Sequence, residues 1–499
     1  MKFSEIRNKI FLAITFLFCS VCSFASFNFT QGCESAYQKM LLLRFNKAGD
    51  ILNAEIKTNP DNFIPHYIGS YIDFLKAFIT EEEIYFEKLI KGKAERLDRM
   101  EHEDKNSPYY LLIKAELHLQ TAVVRIKFKE YLSAAYEFRK AYKLLESNHS
   151  KFPDFVPNKK CLGILHALIG YVPSNYKWLT RLLGFRGTIP QGLGELRSLL
   201  EETSVSQEYN YLRDETLIIL MFLEFHLMKN NESAMKLAAR IEENQPGPLH
   251  LFSILSIYLY SAQNQKANEL LAQRKSSADE FPFYYLEFMN GMALLNRLDT
   301  HALHFLKNYT DRFKGNSFVK SSYQKMAWIA LLKGDTAAYF RNLNLLKTKG
   351  NDFTDEDKQA QKEAESKIIP NILLLRSRLL FDGGYYDRSL EVLAGKEISL
   401  FPKFSDQLEF TYRIARIYDK LKFKEDAVKY YEQTIKNGSG YPYYFAANSA
   451  LYLGLMNENE GKKEKAAYYY KLCLSMRNHE YQNSIDQRAE AGLNRLGMQ

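Results

Sequence analysis

Tryptophan occurs only twice in the 499 residues, at Trp178 and Trp328, and cysteine only five times. Cys19 and Cys22 fall in an N-terminal segment that reads as a removable leader. The remaining three, Cys33, Cys161 and Cys473, are too few for a disulfide framework, so unpaired thiols on helices are expected. Beyond the leader no run reaches the roughly 18 uninterrupted apolar residues of a membrane-spanning helix. Strand-period alternation survives a count nowhere, which excludes a sheet-based fold. There is no HExxH. The glycine-rich GFRGTIPQGLG has no Gly-Lys-Ser/Thr ending and follows a helix, so it is no phosphate cradle. Net charge is +8, and Lys2, Arg7 and Lys9 against Glu5 account for two of those charges, leaving about +6. Spread over this length, that is a solvated surface and not a nucleic-acid footprint.

What is present begins at the N-terminus. Lys2, Arg7 and Lys9 precede an apolar run from Ile10 to Phe18, and Ser23 and Ala25 place small residues where a signal peptidase reads. Residues 1–25 therefore read as a secretory signal cut after Ala25, with a core too short to span a bilayer. The expected location is a periplasm or cell envelope.

From Phe27 onward amphipathic helix pairs recur. The first holds Ala36, Ala48 and Leu52 before NPDN, where Pro60 closes the unit. A longer pair follows, with Ala115, Leu119 and Ala122 on one helix and Ala134, Phe138, Ala141 and Leu145 on the next. Later second helices open on Ala234, Ala267, Ala302 and Ala338, in steps of 33, 35 and 36 residues. The charged run Asn351 to Lys367 reads as a solvated helix capped by Thr354 with Asp357 as the capping-box acid. In the last three pairs a small residue recurs after 12 positions, Ser377 to Ser389, Ala415 to Ala427 and Gly454 to Ala466, with Gly461 in a turn. A period near 34 residues with this spacing is that of tetratricopeptide repeats. The fold expected is an all-α helix-pair solenoid, because one pair cannot bury its apolar face alone.

The stretch Cys161 to Leu196 is the least repeat-like. Gly163, Ala167 and Gly170 leave one helical face nearly bare, so a second helix can press backbone-close against it. Pro173 ends that helix, Ser174 caps a short one carrying Trp178, Leu179, Leu182 and Leu183, and Gly184 ends it in the left-handed region. Two readings stay open. In one, a helical hairpin buries Trp178 and Phe185 as core. In the other, Lys177, Trp178, Arg181, Phe185 and Arg186 form a basic, aromatic-tipped surface for a membrane or a partner. The expected organisation is 26–150 N-terminal repeats, 151–203 the central hairpin, 204–350 middle repeats and 351–499 C-terminal repeats.

GILHALIGYVPSNYKWLTRLLGFRGTIPQGLGEL resembles the signature of the inclusion body clearance / tetratricopeptide repeat thirty-nine family, with Gly163, Pro173, Leu182, Leu183, Gly184, Phe185, Gly187, Gly192 and Leu193 in the matching places. AELHLQTA, FRKAYKLLE and LLLRSRLLFDGGYYDRSL are similar too. The resemblance implies an all-helical repeat protein acting through protein contacts, sometimes at organelle or lipid-droplet surfaces. An export signal departs from that family's cytosolic setting, so no partner identity carries over.

His301 and His304 beside Asp299 lack a third ligand at fixed spacing, and read as helix-surface histidines rather than a metal pair. His166 reads as a satisfied core residue, and the tyrosines at 441–445 and 468–470 as packing between helices. The functional expectation is a non-enzymatic adaptor without cofactor, metal or nucleic acid, holding a partner segment in its groove. A membrane-docking protein using the central hairpin, and a glycan-binding envelope protein, are the alternatives.

Overall fold

Helices start where the sequence supplies caps. Thr30 accepts the Cys33 amide, Ser107 precedes Pro108 and accepts from Tyr109, and Asn371 accepts from Leu373 and Leu374. In the computed structural model, residues 26–172, 177–182, 184–228, 230–242, 246–366 and 368–498 are described. Among them all regular structure is helical, and no helix is long and apolar enough to cross a membrane. The chain divides into two units, 1–254 with 275–283, and 255–274 with 284–499.

The first unit runs α1 (Gln31–Leu41), α2 (Phe45–Thr58), α3 (Ile64–Thr80), α4 (Glu83–Met100), α5 (Pro108–Lys127), α6 (Tyr131–Lys151), α7 (Asn158–Tyr171), α8 (Lys177–Leu182), α9 (Ile189–Val205), α10 (Arg213–His226) and α11 (Asn231–Glu242). Successive helices pack as pairs, α1 with α2, α3 with α4, α5 with α6, α7 with α9 and α10 with α11. Its core is aromatic around a buried charge. Lys160 Nζ lies 3.0 Å from Glu116, 3.1 Å from Glu215 and 2.6 Å from the Tyr71 hydroxyl. Tyr67 and Tyr71 also donate to Glu116, and Tyr37 to Glu215. Phe29 stacks on Tyr211 at 4.0 Å beside them.

Between α7 and α9 the expected close approach is present. A Cβ on Gly170 would fall 2.4 Å from the Ile189 nitrogen, and one on Gly187 2.6 Å from the His166 Cα. Gly184 has φ +79°, in the left-handed region as anticipated. Pro173, Ser174 and Leu183, and the side chains of Leu179, Arg181 and Leu182, lie outside the described residues.

Helix α12 (Pro248–Tyr260) contains the boundary between the units. The second unit continues through α13 (Asn264–Gln273), α14 (Tyr285–Leu295), α15 (Ala302–Arg312), α16 (Val319–Leu332), α17 (Thr336–Thr348), α18 (Asp355–Ser366), α19 (Ile372–Asp382), α20 (Tyr386–Leu393), α21 (Phe404–Leu421), α22 (Lys424–Gly438), α23 (Phe445–Asn459), α24 (Lys463–Ser475) and α25 (Gln482–Leu496). These are tetratricopeptide-type pairs, α14/α15, α16/α17, α19/α20, α21/α22 and α23/α24, with α25 packed on the last pair. The 12-residue spacing is a contact: the Ser377 and Ser389 hydroxyls lie 2.9 Å apart, and Ser389 also donates to the Ser377 carbonyl at 2.7 Å. Tyr470 fills the space that Gly454 and Gly492 leave, their virtual Cβ atoms lying 2.5 and 2.4 Å from its ring.

Two expectations are corrected. Ala234, Ala267 and Ala302 are fully buried, but Ala338 is only half-buried and the adjacent Tyr339 takes the inward position. Helix α18 is not solvated all round. Thr354 caps it, accepting the Asp357 amide at 3.1 Å, yet the Asp357 carboxylate is buried and accepts the Phe318 and Ser321 amides. One acid therefore caps α16 as well, and Ala360 and Ala364 complete a buried face. Cys33, Cys161 and Cys473 are free thiols on helices, as expected, and all three are buried.

Candidate binding groove of the second unit

The first helix of each C-terminal pair carries a small residue that lets its partner approach, and the residue after it faces elsewhere. In α19 and α21 that next residue is an arginine, Arg378 after Ser377 and Arg416 after Ala415. Because α19, α21, α23 and α25 lie side by side, these positions converge on one groove of about 450 Å³. Its lining includes Arg378, Arg413, Arg416 and Arg488 together with Asp382 and Glu409. The balance is four guanidinium groups against two carboxylates, a surplus of two positive charges.

The two carboxylates are spent on two of the arginines. Arg378 Nε lies 3.7 Å from Asp382, and Arg413 Nε donates to Glu409 at 2.7 Å. Arg416 and Arg488 have no carboxylate within ion-pair distance among the described residues. Arg416 instead lies over aromatic faces, 4.1 Å from the Tyr452 ring centre and 4.9 Å from that of Phe381. Its Nη1 donates to the Tyr412 hydroxyl at 2.8 Å, which also accepts from Asn448 Nδ2 at 2.7 Å. Arg416 Nε and Asn448 Oδ1 are shut off from solvent and have no hydrogen-bond partner among the described residues. Arg488 shares the Tyr452 ring at 5.6 Å.

At the α19 end of the groove Arg378 lies 5.0 Å from the Trp328 ring, and the buried Lys325 ammonium lies 4.1 Å from the same ring. Glu363 is engaged by the Trp328 indole N–H at 2.6 Å and by Gln324. Burial first, and then the neighbouring Arg378, push the Lys325 amine down to about 8 against the opposing pull of Glu363, Glu356 and Asp382. Tyr444 and Tyr481 meet edge to face at 5.4 Å. Arginine on aromatic faces, with amide and phenol donors beside it, is a geometry for holding an anion between flat walls.

The site residues expected from sequence belong to the first unit and line none of this groove. Trp178 is 61% exposed, and Lys177 and Arg186 are exposed. Phe185 packs edge to face on Tyr142 at 5.3 Å, and the Tyr142 hydroxyl bridges the Arg186 backbone N–H and C=O at 3.2 and 3.1 Å. The two aromatics are thus placed differently: Phe185 is packed and Trp178 is exposed. The Arg181 side chain lies outside the described residues. His166 is a satisfied core histidine, 2.8 Å from Glu195. His301 is exposed and meets Asp299 at 2.8 Å, while His304 faces Asn308. Tyr469 and Tyr470 are buried, but Tyr441 and Tyr468 are exposed.

No family model matches the chain. No curated protein matches it in sequence either. Among solved structures, a chain of the "Structure of Naa15/Naa10 bound to HypK-THB" is similar at 14% identity with a TM-score of 0.25, covering 93% of this chain and 65% of that one. This chain thus spans just under two thirds of that relative. A chain of the "Crystal structure of APC/C hetero-tetramer Cut9-Hcn1" is similar at 11% identity with a TM-score of 0.26, covering 91% and 95%.

Proposed function

We propose that the protein is a non-enzymatic adaptor that holds an acidic segment of a partner protein in the groove of the second unit. The observation that carries this is Arg416. A guanidinium taken out of water without a counter-ion costs free energy, and an incoming carboxylate recovers it. The surplus of two positive charges favours an acidic occupant over a basic one. Guanidinium, carboxamide and phenol groups orient an anion, and none of them exchanges protons near neutral pH, so binding is the chemistry they serve. The leader-like residues 1–25 support an exported adaptor of the cell envelope.

The test is fluorescence anisotropy of the full chain with a short oligoglutamate peptide and its oligoglutamine counterpart. Oligoglutamate should bind, and more weakly as salt rises. Arg416→Gln should weaken it roughly ten- to a hundredfold, as losing a charged hydrogen bond implies. Equal binding of both peptides, or no change in Arg416→Gln, overturns the proposal.

A further inference from the structure

We infer that the first unit carries a recognition site for a linear segment with an acid two residues before a phenylalanine, independent of the groove. The chain keeps that site filled with its own residues 279–283. Residues 275–283 join α13 to α14, two helices of the second unit, yet they belong to the first unit. They hold no helix, and a turn at 277–280 is closed by the Glu280 N–H on the Ser277 carbonyl at 3.1 Å. Beyond the turn, alternate positions engage the unit, as an extended segment allows. The Asp279 carboxylate lies 2.6 Å from Lys47 Nζ and 3.7 Å from Arg44 Nε. The Phe281 ring meets buried Phe45 at 5.1 Å and the Tyr85 ring edge to face at 6.1 Å, with the Lys76 ammonium 5.5 Å from both phenylalanines. Phe283 is buried and meets Phe252 of α12 at 5.5 Å. Pro282 between them is exposed and keeps Phe281 out of helical backbone. The Phe281 N–H donates to the carbonyl of Leu43, in the turn between α1 and α2, at 2.8 Å.

One charge, one ring pocket and one backbone bond are how a folded domain reads a short linear segment. The receiving groups come from the α1–α2 turn, α2, α3, α4 and α12. Helices α1 to α4 pack on one another in sequence, so the receiving surface is built without the segment it holds. The hold itself is modest. Lys47 is 56% exposed, where an ion pair contributes little, and Phe281 is only half-buried. Occupancy is sustained by the tether at both ends, which sets an effective concentration on the order of millimolar. The partner that fits is a protein segment with the same alternation of acid and aromatics, which takes the site by displacing the chain's own. Three cations, Arg44, Lys47 and Lys76, around the site select an acid at its first position.

The probe is a labelled peptide of residues 275–284, added to the full chain and followed by fluorescence anisotropy. Asp279→Ser/Phe281→Ser empties the site, and the peptide should bind that variant roughly tenfold or more tightly than the unmodified chain, as regaining a ring contact and an ion pair implies. Adding Lys47→Glu to the emptied chain should weaken binding severalfold, and a peptide carrying Asp279→Lys should recover it. Arg416→Gln in the emptied chain should leave binding unchanged, which separates this site from the groove. Equal affinity for the emptied and unmodified chains overturns the inference, and so does binding that is lost in Arg416→Gln. Should the double variant not fold, Asp279→Ala alone should still bind the peptide severalfold more tightly than the unmodified chain, and no gain there overturns the inference equally. A dimer of the unmodified chain that the peptide dissociates also overturns it, because the segment then serves a second copy.

Discussion

A Cβ on Gly192 would lie 2.3 Å from the carbonyl oxygen of Gly163, so α7 and α9 meet backbone to backbone. The Ala167 nitrogen is 2.5 Å from the same point, and neither backbone can move without shifting a helix. Gly192→Ala should therefore lower stability by about 1–3 kcal/mol or more, as overpacking does. Gly194, two residues on in the same helix, has nothing within 4 Å of its Cβ position. Gly194→Ala should be neutral or stabilise by up to about 1 kcal/mol, the ordinary helix-interior gain. Urea unfolding of the two variants measures both, and equal effects would show that proximity is not the cause.

Lys160 makes a different demand on the first unit. Its ammonium is fully buried between Glu116 and Glu215, and these charges are tolerable only together. Lys160→Met leaves carboxylates in the core without their cation and should cost about 3–5 kcal/mol. Lys160→Met with Glu116→Gln and Glu215→Gln should recover most of that loss, because the uncompensated charge is gone. A triple variant no more stable than the single one would mean that the lysine contributes by packing its stem rather than by its charge.

The repeats were legible where they are built from small residues at fixed spacing, as Ser377 and Ser389 are. They were faint where the turn chemistry is unusual. The left-handed residue between paired helices is glycine at Gly334, Gly384 and Gly461, but Leu43, Glu81, Lys129, Leu298 and Lys422 adopt the same φ elsewhere, and no residue type advertises that. The Lys160 network was invisible because its partners Glu116, Glu215 and Tyr71 lie 44, 55 and 89 residues away. The groove left one local trace, an arginine directly after the small residue in two successive repeats, which apolar-stripe reading passes over. Trp178 and Phe185 looked equivalent in sequence, and only the Tyr142 ring from another helix separates them.

The same turns carry a conformational prediction. Gly461 has φ +74° with no atom within 4 Å of its Cβ position, and Lys422 has φ +68°. An L-residue pays roughly 1–2 kcal/mol to sit there, partly offset by glycine's larger unfolded-state entropy. Gly461→Ala should thus destabilise by about 1 kcal/mol, and Lys422→Gly should stabilise by about 0.5–1 kcal/mol. Thermal melts of the two variants should move in opposite directions. Parallel shifts would contradict backbone strain as the source.

His66 sets part of the acid response. Its Nε2 lies 2.7 Å from an Arg99 guanidinium nitrogen, and its carbonyl accepts from Arg96 Nε at 3.0 Å. Burial first, then Arg99 and Arg96, push the imidazole from its ordinary 6.5 down to about 4. The folded state therefore favours neutral His66, while the unfolded chain protonates it near 6.5. Its stabilising contribution is complete above pH 6.5 and is lost as pH falls through that value towards 4. Burial also lowers His118, beside Glu137, so its contribution has the same sign. His66→Gln, neutral at every pH, should melt over a narrower temperature range than the unmodified chain as pH is lowered from 7.5 to 5, across which His66 begins to be protonated only when the protein unfolds. If the two melting temperatures fall in parallel over that interval, the arginine pair does not hold His66 neutral.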